Sequence, residues 1–259
     1  DRLPNGAWDV WLSRFPAGRG LPGDDLNEHN PFSIAAYLAK AASLVVELLR
    51  SAQHATLRRD DPSARRDDEP QRPRQTERPR RPALEGALDA VDWLLRHGQL
   101  ATLAALLEAA ELLRTVLTEW PVWPRAMRTE NGVLLRLIDA IAEAARRQLG
   151  GLVAADDALR RTWRVVDLIL AIIRGALRHG LALDPRGFDA IDDYDWREWL
   201  SMHGAAPESV DSGFVRGIYD LTFAYREGDP ARPSLSAAAA LRGAMRMFFG
   251  YRGSLFWKM

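Results

Sequence analysis

The stretch Leu159-Arg160-Arg161-Thr162-Trp163-Arg164-Val165-Val166-Asp167-Leu168-Ile169-Leu170-Ala171-Ile172-Ile173-Arg174-Gly175-Ala176-Leu177 decides the fold class. Leu159, Trp163, Val166, Leu170, Ile173 and Leu177 recur at alternating spacings of four and three, the period that puts side chains on one face of an α-helix. Val165, Leu168, Ile169 and Ile172 fill the remaining faces. A helix apolar nearly all round must be covered all round, so this one is expected at the centre of a bundle. Its apolar run from Val165 to Ile173 contains Asp167 and is far shorter than the roughly 18 residues a membrane span needs. A buried helix is therefore expected, with Arg164, one turn before Asp167, as the partner of that carboxylate.

Helical periods extend outward in both directions. Upstream, Asn30 is a good N-cap and Pro31 fits the first helical position, after which Ile34, Leu38, Ala41, Val45 and Leu48 form one face. The period returns at Leu84, Leu88, Val91 and Leu95, stops at His97-Gly98, and continues through Leu103, Leu106, Ala110, Leu113 and Leu117. Trp120-Pro121-Val122-Trp123-Pro124 reads as a rigid corner, because each proline disfavours helical geometry in the residue before it. Val133, Leu137, Ile141 and Ala145 make a further helix, expected to end at Gly150-Gly151. Downstream, Asp184-Pro185 opens a turn and Tyr194 to His203 reads as a short helix. Asp211 or Ser212 caps the next, with Phe214, Ile218, Leu221 and Tyr225 on its face, and a last helix runs from about Ser234 to Phe249. No sustained strand-like alternation and no repeat of fixed length occurs. The expected fold is all-α, an irregular multi-helix bundle.

Two segments stand apart from it. Residues 1–30 mix Trp8, Trp11 and Phe15 with prolines and glycines, an irregular arm packed by its aromatics. Arg58 to Pro82 holds nine Arg, six acidic residues and five Pro with hardly an apolar side chain. Such a segment buries too little to offset the entropy of ordering it, so disorder is expected there. The expected organisation is an arm and first helix over 1–57, a charged disordered linker over 58–82, and a main bundle over 83–259 with which 1–57 packs as one domain.

The composition removes whole classes of chemistry. The absence of cysteine excludes disulfides, thiolate ligands, iron–sulfur clusters and cysteine nucleophiles, and fits a reducing compartment, the cytoplasm. Lys+Arg and Asp+Glu balance at 35 each, so no global field draws the chain to nucleic acid, and the acids interspersed in 58–82 weaken a basic-arm reading. The chain starts without Met and ends abruptly at Phe256-Trp257-Lys258-Met259, and both ends are expected to be cut from something longer.

Candidate chemical groups are few. Of five histidines, His97, His179 and His203 each precede a glycine where a helical pattern stops. There a cation favours the helix C-terminus and glycine takes the left-handed cap, so capping is expected rather than metal binding. Gly18-Arg19-Gly20-Leu21-Pro22-Gly23 contains proline and follows no strand, so it reads as a turn rather than a dinucleotide fingerprint. Neither Ser43 nor Ser51 sits in a nucleophile elbow. The most unusual composition is Asp192-Asp193-Tyr194-Asp195-Trp196-Arg197-Glu198-Trp199. Its carboxylates and its two tryptophans could form a ligand platform, but acids at a helix start and two Trp three apart are equally what a capped, buried helix needs.

Longer strings carry a resemblance. Asp211-Ser212-Gly213-Phe214-Val215-Arg216-Gly217-Ile218-Tyr219-Asp220-Leu221 is followed by Phe223-Ala224-Tyr225-Arg226-Glu227-Gly228-Asp229 and by Ala240-Leu241-Arg242-Gly243. Arg246-Met247-Phe248-Phe249-Gly250-Tyr251-Arg252-Gly253 and Phe256-Trp257-Lys258-Met259 complete the block. Together with Phe188-Asp189-Ala190-Ile191 and the Trp8 to Gly23 arm, it resembles bacterial FAD-dependent, NAD(P)-binding-type oxidoreductases of the flavin amine oxidase and phytoene desaturase superfamily. The resemblance implies a helical, substrate-side portion without the nucleotide half. No cofactor is expected to bind this segment alone, and FAD would come from a flavin-binding domain or chain of the parent enzyme. Tyr251, Trp257 and Lys258 would face that domain, and these three with Trp196 and Trp199 are the candidate substrate-binding residues for a small apolar or amine-type substrate. The alternative expectation is a non-catalytic helical interaction module tethered by the Arg58 to Pro82 segment.

Overall fold

The computed structural model describes residues 33–60, 86, 89–91, 93–94, 100, 102–119, 131–153 and 157–249. Among them are eight α-helices: α1 (Ile34–Asp60), α2 (Leu103–Glu119), α3 (Asn131–Val153), α4 (Asp157–Arg178), α5 (Trp196–Met202), α6 (Pro207–Val210), α7 (Gly213–Thr222) and α8 (Ala237–Phe249). Short 3-10 turns occupy Gly187–Ile191 and Arg226–Gly228. The only strand-like pairings among the described residues are isolated bridges, Asp195 with Ser236 and Tyr225 with Pro233. The fold is all-α, as the spacing of apolar residues requires.

The described residues fall into two compact units. The first combines residues 33–44 of α1 with 164–249. Its core includes Val166, Leu170, Ile173, Ile191, Trp196, Trp199, Leu200 and Leu241, all buried. Here α8 packs on α5 and on the Gly187–Ile191 turn, and Arg242 pairs with Asp189 at that contact. The second unit, within 45–163, is built on the pairing of α2 with α3. Leu106, Leu113 and Leu117 of α2 and Leu134, Leu137, Ile138 and Ile141 of α3 are buried. Glu111 of α2 binds Arg50 of α1 and Arg114 one turn on, while Gln148 of α3 donates to the Leu100 carbonyl (2.6 Å).

Residue by residue, α4 meets its expectation. All six of the residues spaced by four and three are buried, and so are Val165, Leu168 and Ile169 on its other faces, while Ile172 is half-buried. Several boundaries differ from the sequence reading. Ser33 caps α1, its hydroxyl accepting from the Ala36 N–H at 3.1 Å; Asn30 and Pro31, expected to open the helix, lie outside the described residues. Helix α1 continues to Asp60, so the segment expected to be disordered from Arg58 begins inside a helix, and 61–82 lies outside the described residues. Helix α3 runs through Gly150 and Gly151 to Val153. Glycine permits a left-handed cap without demanding one, and Leu149 and Leu152 continue the four-and-three spacing from Ala145.

The largest departure is in α7. Ser212 supplies the cap, accepting from the Val215 N–H (3.4 Å), but the buried residues are Val215 and Tyr219, whereas Leu221 is exposed and Tyr225 lies beyond the helix. The helix stops because Phe223 adopts left-handed geometry (φ 51°). Ala224 N–H reaches the Tyr219 carbonyl (3.0 Å) and Phe223 N–H the Asp220 carbonyl (3.3 Å), the two bonds of a Schellman close. A phenylalanine there leaves no glycine signal to read. Rotation of the buried face follows from the Tyr219 hydroxyl, which is tied to the start of α5. The last helix starts at Ala237, its N–H groups met by the Ser236 hydroxyl at Ala239 (3.2 Å).

No helix among the described residues is long and apolar enough to cross a membrane. The rigid corner at 120–124, the His97-Gly98 stop and the 1–30 arm lie outside the described residues.

Candidate functional site

An apolar cavity opens inside the first unit. It is lined by Ala41 and Leu44 of α1, Val165, Leu168, Ile169 and Ile172 of α4, Trp196 of α5, Phe214 of α7, and Ala244 and Met245 of α8, and holds roughly 50 Å³. The period that makes α4 apolar on several faces is what supplies four of these walls. No carboxylate, amine or imidazole belongs to the lining. Trp196 is 1% exposed, and its indole N–H meets no acceptor among the described residues.

The indole is held in place from its backbone. Trp196 N–H donates to the Leu235 carbonyl (2.8 Å), and Ala237 N–H donates to the Tyr194 carbonyl (2.9 Å), so three residues at the start of α5 pair with three at the start of α8. Asp195 ties the knot. Its carboxylate accepts from the N–H groups of Arg197 (3.0 Å) and Leu235 (3.0 Å) and from the Tyr219 hydroxyl (2.9 Å), and at the long limit from Glu198 N–H (3.5 Å). Tyr219 in turn stacks on Trp196 (centroids 6.2 Å, 20° between planes). Burial first, and then the bonded carboxylate, push the Tyr219 phenol above its ordinary value, so it keeps its proton at any physiological pH. The acidic aromatic cluster is therefore a structural clasp: its carboxylate at 195 has its lone pairs occupied by donors and is not placed as a general base.

A second polar cluster lies where α4 faces the connection from α5 to α6. Asp167 and Arg174, seven residues apart on α4, are both buried. Arg174 donates to the His203 carbonyl at the C-terminus of α5 (2.5 Å), and Asp167 accepts from the Ala206 N–H that opens α6 (2.7 Å). A cation at a helix C-terminus and an anion at a helix N-terminus are the favoured signs. The Asp167 carboxylate thus serves the backbone of another element.

His179 and His203 meet here too, Nε2 to Nε2 at 3.2 Å. Each stands at its helix end as expected, although burial disfavours the charged ring the sequence predicts there. Gly180 (φ 59°) and Gly204 (φ 82°) take the left-handed position, and Leu181 and Ala205 donate back to Ala176 and Leu200 (3.0 and 3.1 Å), completing Schellman caps. The meeting of the two rings was not legible, because 24 residues separate them. Trp199, fully buried, packs its ring against both imidazoles. Among the described residues no group of three or more His, Asp or Glu is arranged to hold a metal ion.

At this contact one imidazole N–H donates and the other ring nitrogen accepts, the roles being set by the tautomers, and a charge on one ring disfavours a charge on the other. Burial, and then repulsion from a protonated His179 and from Arg178 and Arg174, lowers His203 from 6.5 to about 4, and burial lowers His179 as well. A folded-state value below the unfolded one means the unfolded chain takes up protons first on acidification, so stability from the neutral pair is whole above about pH 6.5 and is lost between 6.5 and 4. Thermal melts across that window are expected to show the parent losing more stability than His203→Gln. Parallel losses in the two proteins would refute the assignment.

Of the candidate substrate-binding residues, the structure brings Trp196 to the apolar cavity and Trp199 to the histidine pair. Tyr251, Trp257 and Lys258 lie outside the described residues. Phe214 and Ile172, placed by the sequence only on helix faces, and Met245, which it did not single out, are further cavity walls; their shared fate depends on which faces of α4, α7 and α8 converge. No protein-family model matches the chain, and no match to it was found among curated proteins or solved structures.

Proposed function

We propose that this chain is the helical, substrate-side portion of a flavin-dependent oxidoreductase, with the cavity at Trp196 as part of its substrate wall. The observation that supports this reading is a cavity whose lining is wholly aliphatic and aromatic, as a wall that excludes water from a flavin-catalysed reaction needs to be. The redox chemistry belongs to FAD supplied by a flavin-binding domain or chain of the parent enzyme, as the resemblance of the 211–259 block implies. The same lining argues for the apolar and against the amine-type substrate. A protonated amine brings a full charge and three donors to a wall with no carboxylate, an uncompensated burial that costs several kcal/mol.

The test is the colour of the parent assembly. Purified from its source with whatever chain carries the nucleotide-binding half, it is expected to show the visible absorbance of an oxidised flavin, bleached by dithionite. A colourless assembly that takes up no added FAD would sink the reading. The second reading, a non-catalytic interaction module, is favoured by the end of α7, where Leu221 and Phe223 are exposed, Phe223 by 87%. A colourless assembly whose formation is lost in Leu221→Ser/Phe223→Ser would establish that module instead.

A further inference from the structure

We propose that the cavity at Trp196 takes the aliphatic end of a straight-chain molecule and turns away aromatic rings, with Ala244 and Leu168 setting the size limit. This rests on the substrate-wall reading and narrows it to a chemical class and a size. Three observations carry it. The surface that the cavity presents is entirely apolar, so the Trp196 indole faces it with ring carbons rather than with its N–H. The space is small, roughly 50 Å³. It is also closed on most sides, because every lining residue is buried except Ile172 and Phe214, which are half-buried. The way in therefore lies between those two.

Chemistry and volume select the occupant in turn. Water fits by size but needs two to four polar partners, and this wall presents none. A hydroxyl, amide or charged end would give up its bonds to water and receive nothing in exchange. A hydrocarbon end loses no hydrogen bond, and it supplies the dispersion contacts that an empty space denies the lining. Size then separates chains from rings. A dry void of about 150 Å³ walled by Leu, Ile and Phe takes benzene, which scales to roughly 25 Å³ per carbon. On that scale roughly 50 Å³ encloses about two carbons of a chain and cannot hold a six-carbon ring. The remainder of the molecule, with any polar group it carries, leaves past Ile172 and Phe214. Ala244 on α8 and Leu168 on α4 bound the space from two helices. A longer side chain at 244 would fill it, and a shorter one at 168 would free three carbons' worth of room, nearly enough for the ring.

The experiment uses the chain labelled with ¹³C at its methionine methyl groups, titrated with ethanol, 1-propanol, 1-butanol and 1-pentanol and separately with benzyl alcohol, so that every probe keeps its hydroxyl in water. The straight-chain alcohols are expected to move the Met245 methyl resonance, identified as the one missing from Met245→Leu, and benzyl alcohol is expected to leave it in place. Binding should tighten about fourfold per added carbon from ethanol to 1-propanol, the equivalent of burying one methylene, and by less than about twofold per carbon beyond 1-butanol, where the chain has left the cavity. Ala244→Leu should abolish the 1-butanol shift, and Leu168→Ala should admit benzyl alcohol; either variant decides the matter if the other does not fold. No shift from the chain alcohols, an equal shift from benzyl alcohol in the parent, a shift that survives Ala244→Leu, or a folded Leu168→Ala protein that still refuses the ring would each overturn the proposal. No flavin is present in this measurement. A 1-butanol shift alongside a colourless parent assembly sinks the flavin reading alone, and a missing shift alongside a yellow assembly sinks this one alone.

Discussion

Gly175→Ala is expected to destabilise the protein by about 3 kcal/mol, although alanine is the better helix former by roughly 1 kcal/mol. Gly175 lies inside α4, where a Cβ would stand 2.4 Å from two ring atoms of Trp199 and 2.7 Å from Cδ2 of His203. Neither neighbour can give way cheaply. Trp199 is fully buried in α5, and His203 is held by the Arg174 bond to its carbonyl and by His179. The methyl group must therefore separate α4 from α5, and a core that is close-packed has no slack to absorb that. For a chain of this size the loss corresponds to a fall in melting temperature of roughly 10 °C. The control is Gly217→Ala in α7, where nothing lies within 4 Å of the added Cβ; it is expected to be neutral or to gain up to about 1 kcal/mol from helix propensity. Thermal melts of the two variants should thus rank opposite to each other, and a Gly175→Ala protein as stable as its parent would show that α5 does not close on α4 at this notch.

Asp195→Ala is expected to cost about as much, roughly 3–4 kcal/mol, by adding the loss of an N-cap to the orphaning of donors elsewhere. Alanine keeps the helix start but leaves the Leu235 N–H and the buried Tyr219 hydroxyl without their shared acceptor. Asp195→Asn should cost less, because one amide oxygen still caps α5 while its NH₂ opposes one of the remaining donors. Tyr219→Phe separates the terms. It removes the hydroxyl and leaves Arg197 N–H with the Asp195 oxygen, so about 1 kcal/mol is expected. Urea unfolding of the four proteins, measured at one pH, gives the series directly. The order Tyr219→Phe, Asp195→Asn, Asp195→Ala is expected in rising cost, and equal midpoints for Asp195→Ala and the parent would dismiss the clasp. Should Asp195 instead carry chemistry, the stability series would be flat while an activity vanished.

The two variants mark the border between what is local and what is not. Every feature that the linear chain announced depends on residues within about five positions of one another. The apolar stripes of α2 and α4, the cap residues Asp195 and Ser212, and the glycine stops after His179 and His203 all follow from the rise and turn of one helix and the unpaired groups at its ends. Where such marks were absent or ambiguous, the reading drifted: Phe223 ends α7 without a glycine, and Gly150-Gly151 look like a stop that α3 passes through.

The sequence by itself determined that this protein is helical, where its long α4 must be buried, and that its tryptophans at 196 and 199 share a helix near carboxylates. Only the tertiary structure decided that Asp195 serves Tyr219 and Leu235, 24 and 40 residues away, that the rings of two capping histidines meet, that Gly175 is a notch for Trp199, and that Trp196 lines an apolar cavity. The physical reason is range. Helix formation is written in contacts between neighbours along the chain, whereas a clasp, a notch or a cavity exists only once the entropy of closing long loops has been overcome and particular helix faces have been brought together.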